Sequence, residues 1–293
     1  MSHPSRNTRM FALPASPPGK LTAAGTAYRL VRVFKHDFWA ATCLYERCDE
    51  TTKNTLCDLC VSVVNSSEVL FPKIVVKFSR ARDFVGLPLA WTGKRLADHE
   101  EAIYTALKGL AGVPRWVARL SPTCYAIEYV EATPLDHWAK IPPGFFGRLR
   151  NVFDEIHARG VAYGDANKKS NILVTADGRP VLIDFQISLR RRDDWPRPMR
   201  NVMRRVVTYL QGKDLYHLYK HKRRLAPEEL TEEENALSRK RGGLHALHRK
   251  LTKPYRSLRR GFLQRQHIQG RLQSPTADLE DHHQPEKATW RNS

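Results

Sequence analysis

No run of about 18 apolar residues occurs in the 293-residue chain, so no membrane-spanning helix is expected. The opening stretch, MSHPSRNTRMFALPASPPGK, contains no apolar core of signal-peptide length, so no export signal is expected either. Cysteine is scarce. Five residues, an odd number, argue against a disulfide framework and for a reducing, cytoplasmic setting. Acidic side chains are outnumbered: 30 Asp and Glu against 49 Lys and Arg, a net charge of +19. Glycine is missing altogether between Thr26 and Val85, which excludes a Gly-rich loop from that stretch. Internal repeats are absent too.

The positive charge is unevenly spread. Residues 189–265 hold 22 Lys and Arg against 8 Asp and Glu. Such a surface attracts phosphate-rich partners: nucleic acid, anionic lipid or lipopolysaccharide. The alternative is a solvated helical region whose charge serves solubility. The aromatics there (Trp195, Tyr209, Tyr216, Tyr219, Tyr255 and Phe262) are scattered rather than set as a stacking platform, which disfavours single-stranded nucleic acid. Both ends are rich in Pro, Ser and polar residues and are expected to be disordered, an arm over 1–25 and a tail over 266–293.

Strands are expected at 28–34, 39–45 and 73–78. In the last of these Ile74 and Val76 share one face, Val75 and Lys77 the other. The polar insert at 46–69 carries Cys48, Cys57 and Cys60. With Cys43 these could form a tetrahedral all-thiolate zinc site; the alternative is reduced, partly buried thiols. Cys124 is expected in the core. A helix over 94–109 puts Leu96, Glu100, Ile103, Leu107 and Leu110 on one stripe. A carboxylate on an inward stripe needs a cationic or hydrogen-bonding partner, so Glu100 stands out. A strand then runs from Cys124 toward Pro134. The helix over 144–159 lines up Phe145, Leu149, Val152, Phe153 and Ile156, and Gly160 stops it. Next comes GVAYGDANKKSNILVTADGRPVLIDFQIS, residues 160–188, with a hairpin signalled by Asp177-Gly178. Beyond Ser188 the chain reads as basic and mostly helical.

This order of strands, acid-bearing helix, linker, helix, Asp/Asn loop, hairpin and Asp-Phe resembles the protein-kinase-like fold. The compact members are the nearest in flavour: lipopolysaccharide core sugar kinases, RIO-type kinases and aminoglycoside phosphotransferases. The resemblance covers about residues 26–190 and continues loosely to 265. It implies an α+β, two-lobed chain. A small antiparallel-sheet N-lobe would span 26–131, and a mainly helical C-lobe 132–265. It also implies an ATP-dependent phosphotransferase that uses Mg2+. Lys77 would hold the α- and β-phosphates and Glu100 would pair with it. Asp165 would accept the proton of the attacking hydroxyl, and Asn171 and Asp184 would hold Mg2+. The Glu128 carbonyl and Val130 amide would bind adenine, with Ile127 behind the base.

The departures are specific. The loop reads Tyr163-Gly164-Asp165, without the Arg that pairs with an activation-loop phosphate in regulated kinases. The Asn comes one residue late, so Asn167 competes with Asn171. Lys168 or Lys169 would face the γ-phosphate. Gln186 replaces the usual Gly after Asp-Phe, which implies a fixed Asp184. With no Gly-rich loop, the turn at 34–41 must cover the phosphates, with Lys35 or His36 as helpers. Asp214 could support the loop from a lower helix.

Three functions follow from this resemblance. The first is a kinase for an anionic hydroxyl acceptor such as a lipopolysaccharide sugar, working in the cytoplasm or peripherally at the inner face of the membrane. The second is a RIO-like Ser/Thr protein kinase. The third is a pseudokinase that binds nucleotide without turnover.

Overall fold

A computed structural model describes residues 12–13, 15–36, 39–48, 71–81, 90–138 and 140–239. The architecture is α+β, with the element order expected of the protein-kinase-like fold. It divides into two compact units. One gathers the described residues up to Ala97 together with Val117–Tyr129. The other gathers Asp98–Trp116 and the described residues from Val130 onward.

The first unit is built on a six-stranded sheet. Its strands are β1 (Lys20–Ala23), β2 (Thr26–His36), β3 (Ala40–Arg47), β4 (Lys73–Ser79), β5 (Trp116–Ser121) and β6 (Cys124–Glu128), in the order β1-β2-β3-β4-β6-β5. The pairings of β1 through β4 and of β4 with β6 are antiparallel. Register explains the core. Cys43 lies opposite Val76, Tyr45 opposite Ile74, and Val76 opposite Ala126, so one face collects the apolar side chains of three strands. Strand β4 alternates as expected: Ile74 and Val76 are buried, while Val75 and Lys77 are half-buried on the other face.

Two of the expectations fall on this unit. The stretch 1–25 is not all disordered arm, because β1 pairs with β2. The two residues between them, Ala24 and Gly25, both adopt positive φ (45° and 73°), the geometry of a tight hairpin turn that glycine permits. The second concerns the thiols. Cys43 is fully buried in the sheet core, where it packs among apolar side chains and burial pushes its thiol up to about 12. Cys48 is half-buried. Cys57 and Cys60 lie outside the described residues, as do most of the insert at 46–69 and everything after Arg239. Among the described residues no cluster of three or more His, Cys, Asp or Glu could hold a metal ion. Cys124 is buried as expected, its thiol also pushed up to about 12.

Helix α1 (Ala90–Ala106) runs from the first unit into the second. In the second unit it buries Ile103 completely, and Leu107 follows it inward. Helix α2 (Phe145–Ala158) buries Phe145, Phe146, Leu149, Phe153 and Ile156, the three-and-four stripe that its sequence spells. Around these helices lie short strands: β7 (Ala132–Pro134), β8 (Val161–Ala162), β9 (Ile172–Thr175), β10 (Pro180–Leu182) and β11 (Leu189–Arg190). Strands β9 and β10 form the hairpin that Asp177-Gly178 signals, and β7 pairs along β9. Strand β11 pairs with β8. The 29-residue helix α3 (Arg197–Leu225) and the short α4 (Glu232–Arg239) complete the unit. No helix among the described residues is long and apolar enough to cross a membrane.

Candidate functional site

The loop between β8 and β9 brings three of the expected residues into direct contact. Asp165 is 8% exposed. Its Oδ2 accepts hydrogen bonds from Asn171 Nδ2 (2.8 Å) and from Lys168 Nζ (2.9 Å). Asn171 closes a 3-10 turn, Lys169–Asn171, which brings its side chain back to Asp165 despite the extra residue. The competing Asn167 is exposed and receives Lys220 Nζ instead (3.1 Å). Of the two lysines, Lys168 meets the carboxylate. Burial pushes the Asp165 carboxyl above its ordinary range; Lys168 and Asn171 oppose that rise, and the Asp184 carboxylate adds to it.

Gly164 has a positive φ (81°), and a Cβ there would come within 3.1 Å of the Ile187 carbonyl oxygen. The glycine in Tyr-Gly-Asp is therefore a backbone requirement of this loop. Its amide and that of Tyr163 both donate to Asp214 of α3, at 2.8 Å each, and His157 Nε2 donates to the same carboxylate at 3.1 Å. The support suspected for Asp214 is thus present as hydrogen bonds. Sequence reasoning missed the rest of this clamp. Gln211 Nε2 donates to the carbonyls of His157 and Val161, and the His221 ring donates to the Ala166 carbonyl (2.9 Å). Burial holds His221 down to about 4, so it is neutral at ordinary pH. The legible signal was spacing: Gln211, Asp214, Leu218 and His221 repeat every three or four residues on one helix face, with polar groups where core residues would stand.

Asp184 follows β10 with a positive φ of 61°, which only glycine, Asn and Asp adopt readily. Its neighbours hold it in place. The Ile183 amide donates to the Asn171 carbonyl, and Phe185 is fully buried. The Phe185 ring packs edge-on against Tyr104 (5.3 Å) and Tyr163 (5.2 Å). Tyr163 Oη donates to the Ile183 carbonyl (2.6 Å), while Ser188 Oγ donates to the Tyr163 carbonyl (2.7 Å). Glu100 is fully buried, as its stripe position implied. Burial pushes the Tyr104 hydroxyl well above its ordinary range, with the Glu100 and Asp184 carboxylates adding to the rise. The Tyr163 hydroxyl is raised for the same reason, with Asp165 and Asp184 both contributing. Carboxylates thus lie near both of these buried hydroxyls, Glu100 and Asp184 at Tyr104, Asp165 and Asp184 at Tyr163.

The remaining expected residues lie on the sheet of the first unit and just after it. Lys77 sits in β4 opposite Thr42 of β3 and Tyr125 of β6. Ile127 is buried in β6 and Glu128 ends that strand opposite Ile74. The segment then leaves the sheet. The Tyr129 amide donates to the Lys73 carbonyl, and its ring stacks on Phe34 (6.5 Å). Val130, which opens the second unit, is half-buried. His36 ends β2, and its Nε2 accepts the Leu13 amide (3.4 Å). Asp37 and Phe38, in the turn expected to cover phosphates, lie outside the described residues.

No family model matches the chain, and no curated protein matches it. Among solved structures it is similar to the Rio2 kinase-ADP/Mg2+-phosphoaspartate complex from Chaetomium thermophilum, at 19% identity over 67% of this chain and 54% of that one, TM-score 0.42. A second crystal structure of Rio2 kinase from Chaetomium thermophilum is similar at 19% identity over 67% and 56% of the two chains, TM-score 0.43. The chain thus spans just over half the length of those structures, and the likeness is one of fold.

Proposed function

We propose that the chain is an ATP-dependent phosphotransferase whose acceptor is a hydroxyl group. One observation carries this reading: Asp165 is buried, bonded to both Lys168 and Asn171, on a loop whose backbone is clamped by Asp214. An ordinary turn has no need of a desolvated carboxylate with a cation beside it. In phosphoryl transfer these groups have separate tasks. Asp165 accepts the proton of the attacking hydroxyl. Its raised pKa makes it a better base than an exposed aspartate, and Lys168 offsets charge that builds on the transferred group.

The residues present fit Mg2+. The Asn171 Nδ2 is committed to Asp165, which fixes the amide and leaves Oδ1 as its remaining oxygen donor. Asp184 supplies a carboxylate close enough to Asp165 to raise its pKa, and a divalent cation between such groups would be stabilised. Mg2+ is commonly held by one or two side-chain oxygens with substrate phosphates and water, so a larger protein cluster is not required. Bound there, the ion would neutralise charge on the phosphates. Lys77 would bind the α- and β-phosphates, with Glu100 as its partner. The Glu128 carbonyl and Val130 amide would hold adenine.

For the acceptor, we favour an anionic sugar of lipopolysaccharide type, met at a membrane surface. The excess of basic residues over 189–265 and the Gly164-containing loop support it. A nucleotide-binding pseudokinase is the second reading, favoured by the lack of glycine from Thr26 to Val85. The test is incubation of purified protein with γ-labelled ATP, Mg2+ and a fractionated cell extract, beside Asp184→Ala. Label in the lipid or polysaccharide fraction, absent with the variant, is the expected result. Label in protein would replace the sugar by a RIO-like protein substrate. Nucleotide bound but never turned over would overturn the enzymatic reading.

A further inference from the structure

Helix α3 changes character along its length. Its second half is pinned by Gln211, Asp214, Leu218 and His221. Its first half buries only Val207. There Met199, Val202, Val206 and Tyr209 are 52, 60, 39 and 42% exposed. At about 3.6 residues per turn, these four fall within roughly 80° of one another, an apolar stripe turned away from the buried face. By the same rotation Arg205 stands at the edge of the stripe and Lys213 in line with it, whereas Arg197, Arg200 and Arg204 point to other sides of the helix; no acidic residue occurs from Arg197 to Lys213. Lys213 Nζ lies over the rings of Tyr209 (5.2 Å) and Tyr216 (5.6 Å), an ammonium at the edge of an aromatic pair.

We infer that this half of α3 is a docking surface for an anionic lipid bilayer. A bilayer interface accepts both parts of it: the stripe enters the headgroup boundary while Arg205 and Lys213 meet lipid phosphates. Nucleic acid would leave Met199, Val202 and Val206 with nothing to bury against. A second copy of this chain would bring its own Arg205 and Lys213 against these two cations. The surface also leads to the chemistry. Lys220 lies five turns beyond Val202 on the same face, and it donates to Asn167, two residues past Asp165. Tyr209, the last member of the stripe, is eleven residues from Lys220, about 16 Å along the axis. An acceptor hydroxyl would then be presented close to the membrane, as in an inner sugar of a lipid-anchored glycan. This inference deepens the membrane-surface reading of the acceptor and rests on it.

The test uses the full chain, floated with vesicles of phosphatidylcholine alone or of phosphatidylcholine with phosphatidylglycerol. Binding to the anionic vesicles only, weakened by salt, is expected. The double substitution Val202→Asp with Val206→Asp should reduce it about tenfold or more. Val202→Ser with Val206→Ser, milder for folding, should reduce it less, with an unchanged melting profile. Failure of the wild type to float, or flotation of the aspartate variant equal to wild type, overturns the inference. So does a wild-type dimer in light scattering that the aspartate variant converts to monomer, since a second copy would then be the occupant. Label transfer is measured in parallel. Flotation without transfer leaves the docking surface standing and sinks the enzymatic reading; transfer without flotation does the reverse.

Discussion

In its proposed role Asp165 has to be buried and charged at once, and the two demands conflict. Its folded-state pKa is raised, so the contribution of this group to stability is present below the ordinary carboxylate range and is lost as pH rises through the folded value. Ionising this side chain in the folded loop therefore carries a cost that Lys168, itself 57% exposed, only partly offsets. Asp165→Asn removes the charge and keeps an oxygen for one of the two donors. The expected outcome is a melting temperature at or above that of wild type at pH 7, an advantage that vanishes in acid. Phosphoryl transfer should fall by about 10²–10⁴. A variant that loses activity and stability together at pH 7 would mean that Asp165 serves the loop's structure. Much of this was legible: an Asp followed six residues on by an Asn, on a loop after an amphipathic helix, is a spacing that chemistry explains. The choice of Asn171 over Asn167 was not, because it depends on a 3-10 turn that no local pattern announces.

Helix α3 does for the loop what sequence separation hides. Its side chains reach back some fifty residues, to the Tyr163 and Gly164 amides through Asp214 and to the Ala166 carbonyl through His221. Basic composition drew attention to this helix as a binding surface, whereas its inward polar face is what holds the loop that carries Asp165. The same distance problem concealed β5, whose residues are half-buried without alternation, and β1, whose short KLTA strand depends on the turn after it. His221 makes the clamp sensitive to acid. Its folded pKa is lowered from 6.5 to about 4 by burial, with Lys220, Lys169 and Arg224 adding to the drop. A depressed value contributes stability above pH 6.5 that is lost as pH falls toward 4. From pH 7.5 to 4 the loss amounts to about 3 kcal/mol. His221→Gln retains an amide donor for Ala166 and does not titrate. Urea unfolding at the two pH values should show a smaller acid loss for the variant, by about that amount. Equal losses would assign the acid sensitivity to the carboxylates instead.

At the scale of the whole chain, the proposed ligand set is divided: Lys77 and Glu128 belong to one unit, Val130, Asn171 and Asp184 to the other. Periodicity could place each residue on its own element, because strand alternation and the α1 stripe are local. Whether both sets answer to one ligand is a question of linkage, which can be measured. A ligand that binds only the folded chain adds about 2.7 kcal/mol of stability at a hundredfold excess over its Kd. For a protein of this size that is a rise of roughly 5–10 °C. ATP with Mg2+ should raise the melting temperature by that order, and ATP with chelator by less. In the proposed arrangement the Lys77 cation would meet phosphate directly, so Lys77→Ala should diminish the shift with or without Mg2+. Asp184→Ala should diminish only the part that Mg2+ adds, because in the proposed arrangement its carboxylate would act through the ion. A shift indifferent to Mg2+ in the wild type, and to Asp184→Ala, would leave nucleotide binding without the metal that transfer needs. The lack of glycine between Thr26 and Val85 would then be the decisive feature of the sequence, and the pseudokinase the better account.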